Sequence, residues 1–182
     1  YQQLEKAISN LKPYQSFDKI DEMVNRLKEY IEQVKSCISL YKPGETKRMA
    51  LRSKLDNTLQ PYSIYIPDSI EKEDSVGLLV YLHGSATDEQ KFIRKAEKEL
   101  AEDNKMIIVA PYGRGKSHAY CPTIAKQDIV EVTEKVMDIF NIDQDKVLLG
   151  GFSMGGYGTL LLYEFNPELF NGLVVISGHY DL

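Results

Sequence analysis

The chain has 182 residues, of which 43% are hydrophobic and 27% charged, enough for one sizeable domain or a domain with an appendage. A net charge of −5, with acids and bases mixed along the chain, argues against a nucleic-acid partner, which needs a basic face. No stretch reaches the ~18 consecutive apolar residues of a membrane span, so the composition reads as a soluble protein, with the cytoplasm slightly favoured. Cys37 and Cys121 match no metal spacing and make no disulfide framework, although one bridge stays open. The first residue is Tyr1 rather than Met, so the absence of a leader says nothing about location.

The N-terminal part reads as helical. Gln2 to Leu11 forms a short helix before Pro13, and Ser16 is placed to cap the next one. In "SFDKIDEMVNRLKEYIEQVKSCISLY" the apolar residues Phe17, Ile20, Val24, Leu27, Ile31, Val34, Ile38 and Tyr41 recur at alternating steps of three and four. That is a heptad seam, stopped by "KPG" at Lys42 to Gly44. The first reading is a helical hairpin whose apolar face covers its own or a neighbouring domain. The seam also allows helix-mediated self-association through residues 17–41.

After Gly44 the period changes. "TKRMALRS" and "LQPYSIYIP" read as two strands of a hairpin around Asp56-Asn57. Val76 to Leu82 is a continuous apolar run, as in a strand buried on both faces. An amphipathic helix over Glu89 to Glu102 follows, then a strand from Met106 to Ala110 and a long polar loop, "PYGRGKSHAYCPT". Ala125 to Phe140 is a helix, Lys146 to Gly150 a strand, Met154 to Phe165 a helix, and Gly172 to Ser177 a buried strand. This alternation predicts an α/β domain over residues 45–182, with a mainly parallel sheet and helices on both faces, preceded by a helical extension over residues 1–44.

One pentapeptide in this frame carries chemistry: Gly151-Phe152-Ser153-Met154-Gly155. Chance alone gives on the order of 0.06 such matches in a chain this long, so the spacing by itself is modest evidence. Its setting is more specific. A nucleophile elbow needs a strand directly before the serine and a helix directly after it, and "KVLLG" and "MGGYGTLLLYEF" supply both. The glycines have a steric reason, since the turn is tight and neighbouring chains approach closely. Gly156 and Gly158 would let the following helix lie against adjacent strands. Ser153 is therefore the candidate nucleophile, at the positive end of a helix, with the Met154 N–H aimed at a developing oxyanion. A second donor should come from the loop after an earlier strand, and His83-Gly84-Ser85 provides it, with the Ser85 N–H as candidate. His83 reads as a residue that holds this loop by hydrogen bonds rather than as a base. Tyr112, Arg114, Tyr120 and Tyr157 are candidates for a pocket lining or for plain surface.

Together, "LLVYLHGS", "VAPYGRG", "DKVLLGGFSMGGYGTL" and "PELFNGLVVISG" resemble the α/β-hydrolase superfamily, most of all its esterase branch of polyhydroxybutyrate-depolymerase-like, feruloyl-esterase-like and predicted-peptidase-like members. The resemblance runs from about Thr46 to the end and leaves out the preceding helices. It implies a serine hydrolase acting through an acyl-enzyme, with Ser153 as nucleophile and Met154 and Ser85 as backbone oxyanion donors. It implies a small-molecule carboxylic ester as substrate and no metal or organic cofactor. A peptidase of the prolyl-oligopeptidase type and a non-catalytic interaction protein of the same fold are the alternatives. In the family the acid and histidine follow later strands, so both are expected after Leu182, with the fold cut after the strand that follows the nucleophile helix. His179, Asp181 and His118 are weaker candidates within the chain. A chain lacking the later strands is expected to show little activity by itself.

Self-association through the seam makes a direct prediction. Deleting residues 1–44 is expected to lower the sedimentation coefficient to that of a monomeric 45–182 unit. An oligomeric state unchanged by the deletion would remove the seam from consideration.

Overall fold

The computed structural model describes residues 17–35, 41–71, 74–118 and 120–178. The chain separates into two units, Tyr1–Tyr41 and Lys42–Leu182. In the first, helix α1 (Phe17–Lys35) carries the heptad pattern, with Ile20, Val24 and Ile31 exposed. The helix expected over residues 2–11, the Ser16 cap and the seam's Ile38 fall outside the described residues. No helix among the described residues is long and apolar enough to cross a membrane.

The second unit is built on strands β1 (Thr46–Arg52), β2 (Leu59–Tyr65), β3 (Val76–Leu82), β4 (Met106–Pro111), β5 (Ile142–Phe152) and β6 (Gly172–Ile176). They form one sheet in the order β1-β2-β4-β3-β5-β6. The first two strands make an antiparallel hairpin, Thr46 opposite Tyr65 and Arg52 opposite Leu59, and β2 runs antiparallel to β4. From β4 onward all pairings are parallel. The hairpin turn is where Asp56-Asn57 predicted it. Asn57 takes a left-handed φ of 61°, and the Asp56 carboxylate accepts from the Thr58 N–H at 3.1 Å and its hydroxyl at 2.7 Å.

Each parallel connection carries helix: α2 (Glu89–Phe92) and α3 (Lys95–Asn104) before β4, α4 (Thr123–Ile139) before β5, and α5 (Met154–Phe165) before β6. Every residue of β3 is buried, so both faces of the central sheet are covered, as its unbroken apolar run required. On one face Tyr65, Leu79, Tyr81, Ile108 and Ala110 pack with Phe92, Ile93 and Ala101, and the Tyr81 and Phe92 rings stack 4.4 Å apart. The alternate positions Leu78, Val80, Leu82, Ile107 and Val109 are equally buried, as the period of two demands. On α4 the buried positions Ala125, Ile129, Val132 and Val136 keep the three-four spacing of a helix face.

Two expectations are corrected. The helix read as continuous from Glu89 to Glu102 is broken at Ile93 and Arg94. Ile93 turns extended, with φ −85° and ψ 95°, and its side chain is buried in the cluster beside Phe92. The chain restarts at Arg94 because a capping box forms there: Arg94 N–H donates to Glu97 Oε2 at 3.0 Å. The last strand was read as buried, yet Leu173, Val174, Val175 and Ile176 are each 37–42% exposed. Among the described residues β6 pairs with β5 alone and is an outer strand of the sheet, so apolar residues are left open on it.

The edge of the hairpin is tied down by one carboxylate. Glu102 Oε1 accepts from the Tyr65 hydroxyl at 2.7 Å and the Asp68 N–H at 2.9 Å, and Oε2 accepts from the Ser69 hydroxyl at 2.9 Å. Burial alone would raise the Glu102 carboxyl, but these donors outweigh it and hold the group below its ordinary value. In return, burial together with Glu102 pushes the Tyr65 hydroxyl up to about 12. A carboxylate with a lowered folded pKa stabilises the fold fully above the unfolded value and loses that contribution as pH falls through the folded one. The urea midpoint is therefore expected to drop as pH falls below about 4.3, the ordinary Glu value. Glu102→Gln should cost about 1 kcal/mol at pH 7 and flatten that acid slope. An unchanged slope in the variant would remove Glu102 from the account.

Candidate active site

Four parallel strands end on one side of the sheet, and the loops that leave them build the site. The centre is Ser153, between β5 and α5. Its backbone holds φ 54° and ψ −115°, a conformation few side-chain-bearing residues adopt. Three ties fix it there. The Ser153 N–H donates to Ile176 O at 2.8 Å, the Tyr157 N–H donates back to Ser153 O at 3.1 Å, and α5 begins at the next residue.

The flanking glycines are set by contact. A Cβ on Gly151 would collide with the Gly155 carbonyl, and a Cβ on Gly155 with the carbonyl of Leu82 at the end of β3. Gly156 faces the end of β6, where a Cβ would lie 3.0 Å from Ile176 O, as expected of a helix lying close on strands. Gly158 is different. It was expected to face a strand, and instead a Cβ there would run into the ring of Tyr120, because the loop after β4 folds over this part of α5.

The loop after β3 meets the elbow. A Cβ built on Gly84 would stand 3.3 Å from Phe152 O and 3.8 Å from the Ser153 Cβ, so the His83-Gly84-Ser85 segment lies directly beside the serine. Met154 is the first residue of α5, so its N–H has no acceptor within the helix. The Ser85 N–H has no hydrogen-bond partner among the described residues, whereas the next one, from Ala86, is taken by Lys116 O at 3.2 Å. The structure thus brings Ser153, Met154 and the Ser85 loop together. Of the Ser85 and Ala86 donors, Ala86 is already used.

His83 is fully buried, walled by the rings of Phe92, Tyr112 and Tyr120 with centroids 5.6 to 6.3 Å away. Its Nδ1 lies 3.0 Å from Gly84 O and its Nε2 3.0 Å from Tyr112 O. Both nitrogens face backbone carbonyls of the loops, which is the holding role read from the sequence. His118 is exposed on the loop after β4. Among the described residues no histidine nitrogen bonds the Ser153 hydroxyl, and His179 and Asp181 lie outside them.

The loop after β4 is anchored at its far end by charge. Arg114 donates to Asp56 Oδ2 at 2.6 Å, to Ser53 Oγ at 3.2 Å and to Asp128 Oδ2, while the Ser53 hydroxyl donates to Asp128 Oδ1 at 2.5 Å. Hydrogen bonds to Asp56 and Asp128 raise the guanidinium further above its already high range, and Arg114 holds the Asp56 carboxyl well below the ordinary range. Arg114 is therefore an anchor between α4 and the hairpin turn, not a pocket residue. Sequence reasoning missed the cluster, although a signal was present: Asp128 falls on the same helical face as Ala125, Ile129 and Val132. An acid on an apolar face calls for a buried cation. Tyr120 is buried too, with its hydroxyl donating to His83 O at 3.0 Å; Tyr112 and Tyr157 are half-buried.

Mixed sheet, strand order and elbow together define the α/β-hydrolase fold. The chain belongs to the esterase family whose model, described as "Putative esterase", matches residues 57–182. Among solved structures, it is similar to a thermostable esterase at 22% identity, with a TM-score of 0.62, over 75% of this chain and 42% of that one. A fluorophosphonate-binding serine hydrolase of Staphylococcus aureus, solved with substrate bound, aligns at 24% identity and TM-score 0.64 over 75% of this chain and 58% of its own. A ferulic acid esterase of the anaerobic fungus Anaeromyces mucronatus aligns at 19% and 0.58, over 75% and 59%. The chain thus spans about half the length of these structures. No curated protein matches the sequence at a significant level.

The close approach of α5 to β3 can be tested by adding one methyl group. Gly155→Ala sets a Cβ against rigid backbone and is expected to cost about 3 kcal/mol or more in urea unfolding. Gly77→Ala, whose Cβ would lie 2.9 Å from Cγ and 3.0 Å from Cε of the flexible Met106 side chain, is expected to cost less than about 1 kcal/mol. Equal costs would mean that the helix has room to move off the strand.

Proposed function

We propose that this chain carries the nucleophile and oxyanion hole of a carboxylic-ester hydrolase. The observation that carries the reading is the convergence at Ser153: a serine at φ 54° heading a helix, with the backbone of Gly84 packed beside its Cβ. In this reading Ser153 Oγ attacks the ester carbonyl carbon and its proton passes to a histidine base. The carbonyl oxygen becomes an oxyanion held by the N–H groups of Met154 and Ser85. Each such donor is typically worth about 3 kcal/mol of transition-state stabilisation, because it is aimed before charge develops. Collapse of the tetrahedral species expels the alcohol, which takes the proton from the imidazolium. Water, deprotonated by the same base, then releases the acid from the acyl-enzyme. In this reading the base and its orienting acid come from outside the described residues. The substrate is a small-molecule ester.

The family membership supports an ester substrate, and the fold supports the serine as nucleophile. The test is covalent labelling of the intact protein with a fluorophosphonate, followed by peptide mass spectrometry. One adduct is expected, on Ser153, and none in Ser153→Ala. An unlabelled protein, or an adduct that survives the substitution, would overturn the assignment.

A further inference from the structure

We infer that Tyr120 is a positioning residue for the oxyanion hole, acting through His83. This rests on the ester-hydrolase reading for its catalytic consequence, though not for its geometry. The Ser85 N–H belongs to the same peptide unit as the Gly84 carbonyl. No peptide bond among the described residues is cis, so the two groups point in opposite directions across one plane. Whatever holds Gly84 O therefore aims the Ser85 N–H.

His83 Nδ1 lies 3.0 Å from that carbonyl. A neutral imidazole has one N–H, so its orientation and tautomer decide whether the contact holds. In the tautomer protonated at Nδ1 the ring donates to Gly84 O; its place is set by Tyr112 O, 3.0 Å from Nε2, and by Tyr120, which lies against it with centroids 5.6 Å apart. Tyr120 also holds the peptide on the other side of Gly84, since its hydroxyl donates to His83 O at 3.0 Å. One tyrosine thus restrains both the ring that orients the donor peptide and the carbonyl preceding it.

Tyr120 can do this because it is itself immobile. It is 1% exposed, and its backbone is left-handed, with φ 59°, a costly conformation for an aromatic residue. Its ring is pressed between Gly113 and Gly158, where a Cβ at either position would run into it. One of those glycines belongs to α5, the helix headed by Ser153. The other belongs to the loop that Arg114 fastens to Asp56 and Asp128. Nucleophile helix, oxyanion loop and anchored loop therefore share this one side chain. Burial moves its hydroxyl far above the ordinary tyrosine value, so it stays a donor throughout the working pH range.

Tyr120→Phe removes the hydroxyl and keeps the ring between the two glycines, so the fold is retained. In the intact protein kcat for p-nitrophenyl acetate is expected to fall about tenfold, one strong interaction's worth, with KM within twofold. The Ki of a trifluoromethyl ketone, whose hemiketal oxygen needs the same hole, should rise by the matching factor. Amide exchange at Ala86, bonded to Lys116 O, should accelerate while the β3 amides stay protected. A kcat and a ketone Ki both within twofold of wild type would overturn the proposal, as would a fall in kcat without a rise in Ki. Should wild type neither hydrolyse the ester nor take the fluorophosphonate, the ester-hydrolase reading fails separately. Ala86 exchange then decides the clamp: acceleration supports it and an unchanged rate overturns it.

Discussion

The contact on which the rest depends is backbone against backbone: the first turn of α5 resting on the carbonyl end of β3, with Gly155 against Leu82. Such an approach has no room for a side chain and little for adjustment, because both partners are rigid main chain. It fixes where the helix axis lies against the sheet. The consequence is chemical. Leu82 is followed at once by His83 and Gly84, so the helix contact that places Ser153 also places the loop proposed to carry the second oxyanion donor. The proposed nucleophile and donors are set by one interface rather than by two loops that must find each other.

The loops above that interface cannot be held by apolar packing alone, because they carry main-chain polar groups that need partners. Their solution is a chain of polar ties running away from the serine. Tyr120 donates to His83 O, and the His83 ring nitrogens lie 3.0 Å from Gly84 O and Tyr112 O, one of which takes its single N–H; Ala86 meets Lys116; Lys116 reaches Asp88 at 2.9 Å. The chain ends in Arg114, whose two carboxylate partners differ in setting: the Asp128 side chain is 4% exposed and that of Asp56 32%. The buried half of that pair stabilises only while complete, since losing the cation would leave a carboxylate uncompensated. The outer half, screened by water, contributes little to stability and serves mainly to orient the guanidinium.

Much of this was legible in the sequence because it is periodic. The bounds of β3 and α5 follow from an uninterrupted apolar run and from the glycine-serine elbow, and both coincide with the structure. His83 could be read as a holding residue because it precedes a loop that needs fixing. The break at Ile93 was not legible, because the apolar period continues through it and only the Arg94-Glu97 box interrupts the backbone. Tyr120 was equally hidden. A tyrosine in the polar string "GKSHAYCP" has no neighbours in sequence to predict burial; its surroundings, Gly113, Gly158 and His83, come from three elements. Periodicity reports on regular elements, whereas a loop's fixed points are decided by long-range contacts.

Strain follows the same division. Of the non-glycine residues with left-handed φ among the described ones, Ala86, Arg114, Tyr120, Ser153 and Ser177 all lie just past the carboxyl ends of parallel strands. Each such conformation costs about 1–3 kcal/mol and persists only where neighbouring contacts over-determine it. Every one of the first four has a contact of that kind: Ala86 through Lys116 O, Arg114 through its carboxylates, Tyr120 through its glycine slot, Ser153 through Ile176 O. Asn57, in the hairpin turn that Arg114 reaches, is at this same end, and at the opposite end only Lys105, just before β4, is in this state among the described residues. Stability is thus spent unevenly, and the side on which most of it is spent is the side that carries Ser153 and the Met154 and Ser85 N–H groups proposed to hold an oxyanion.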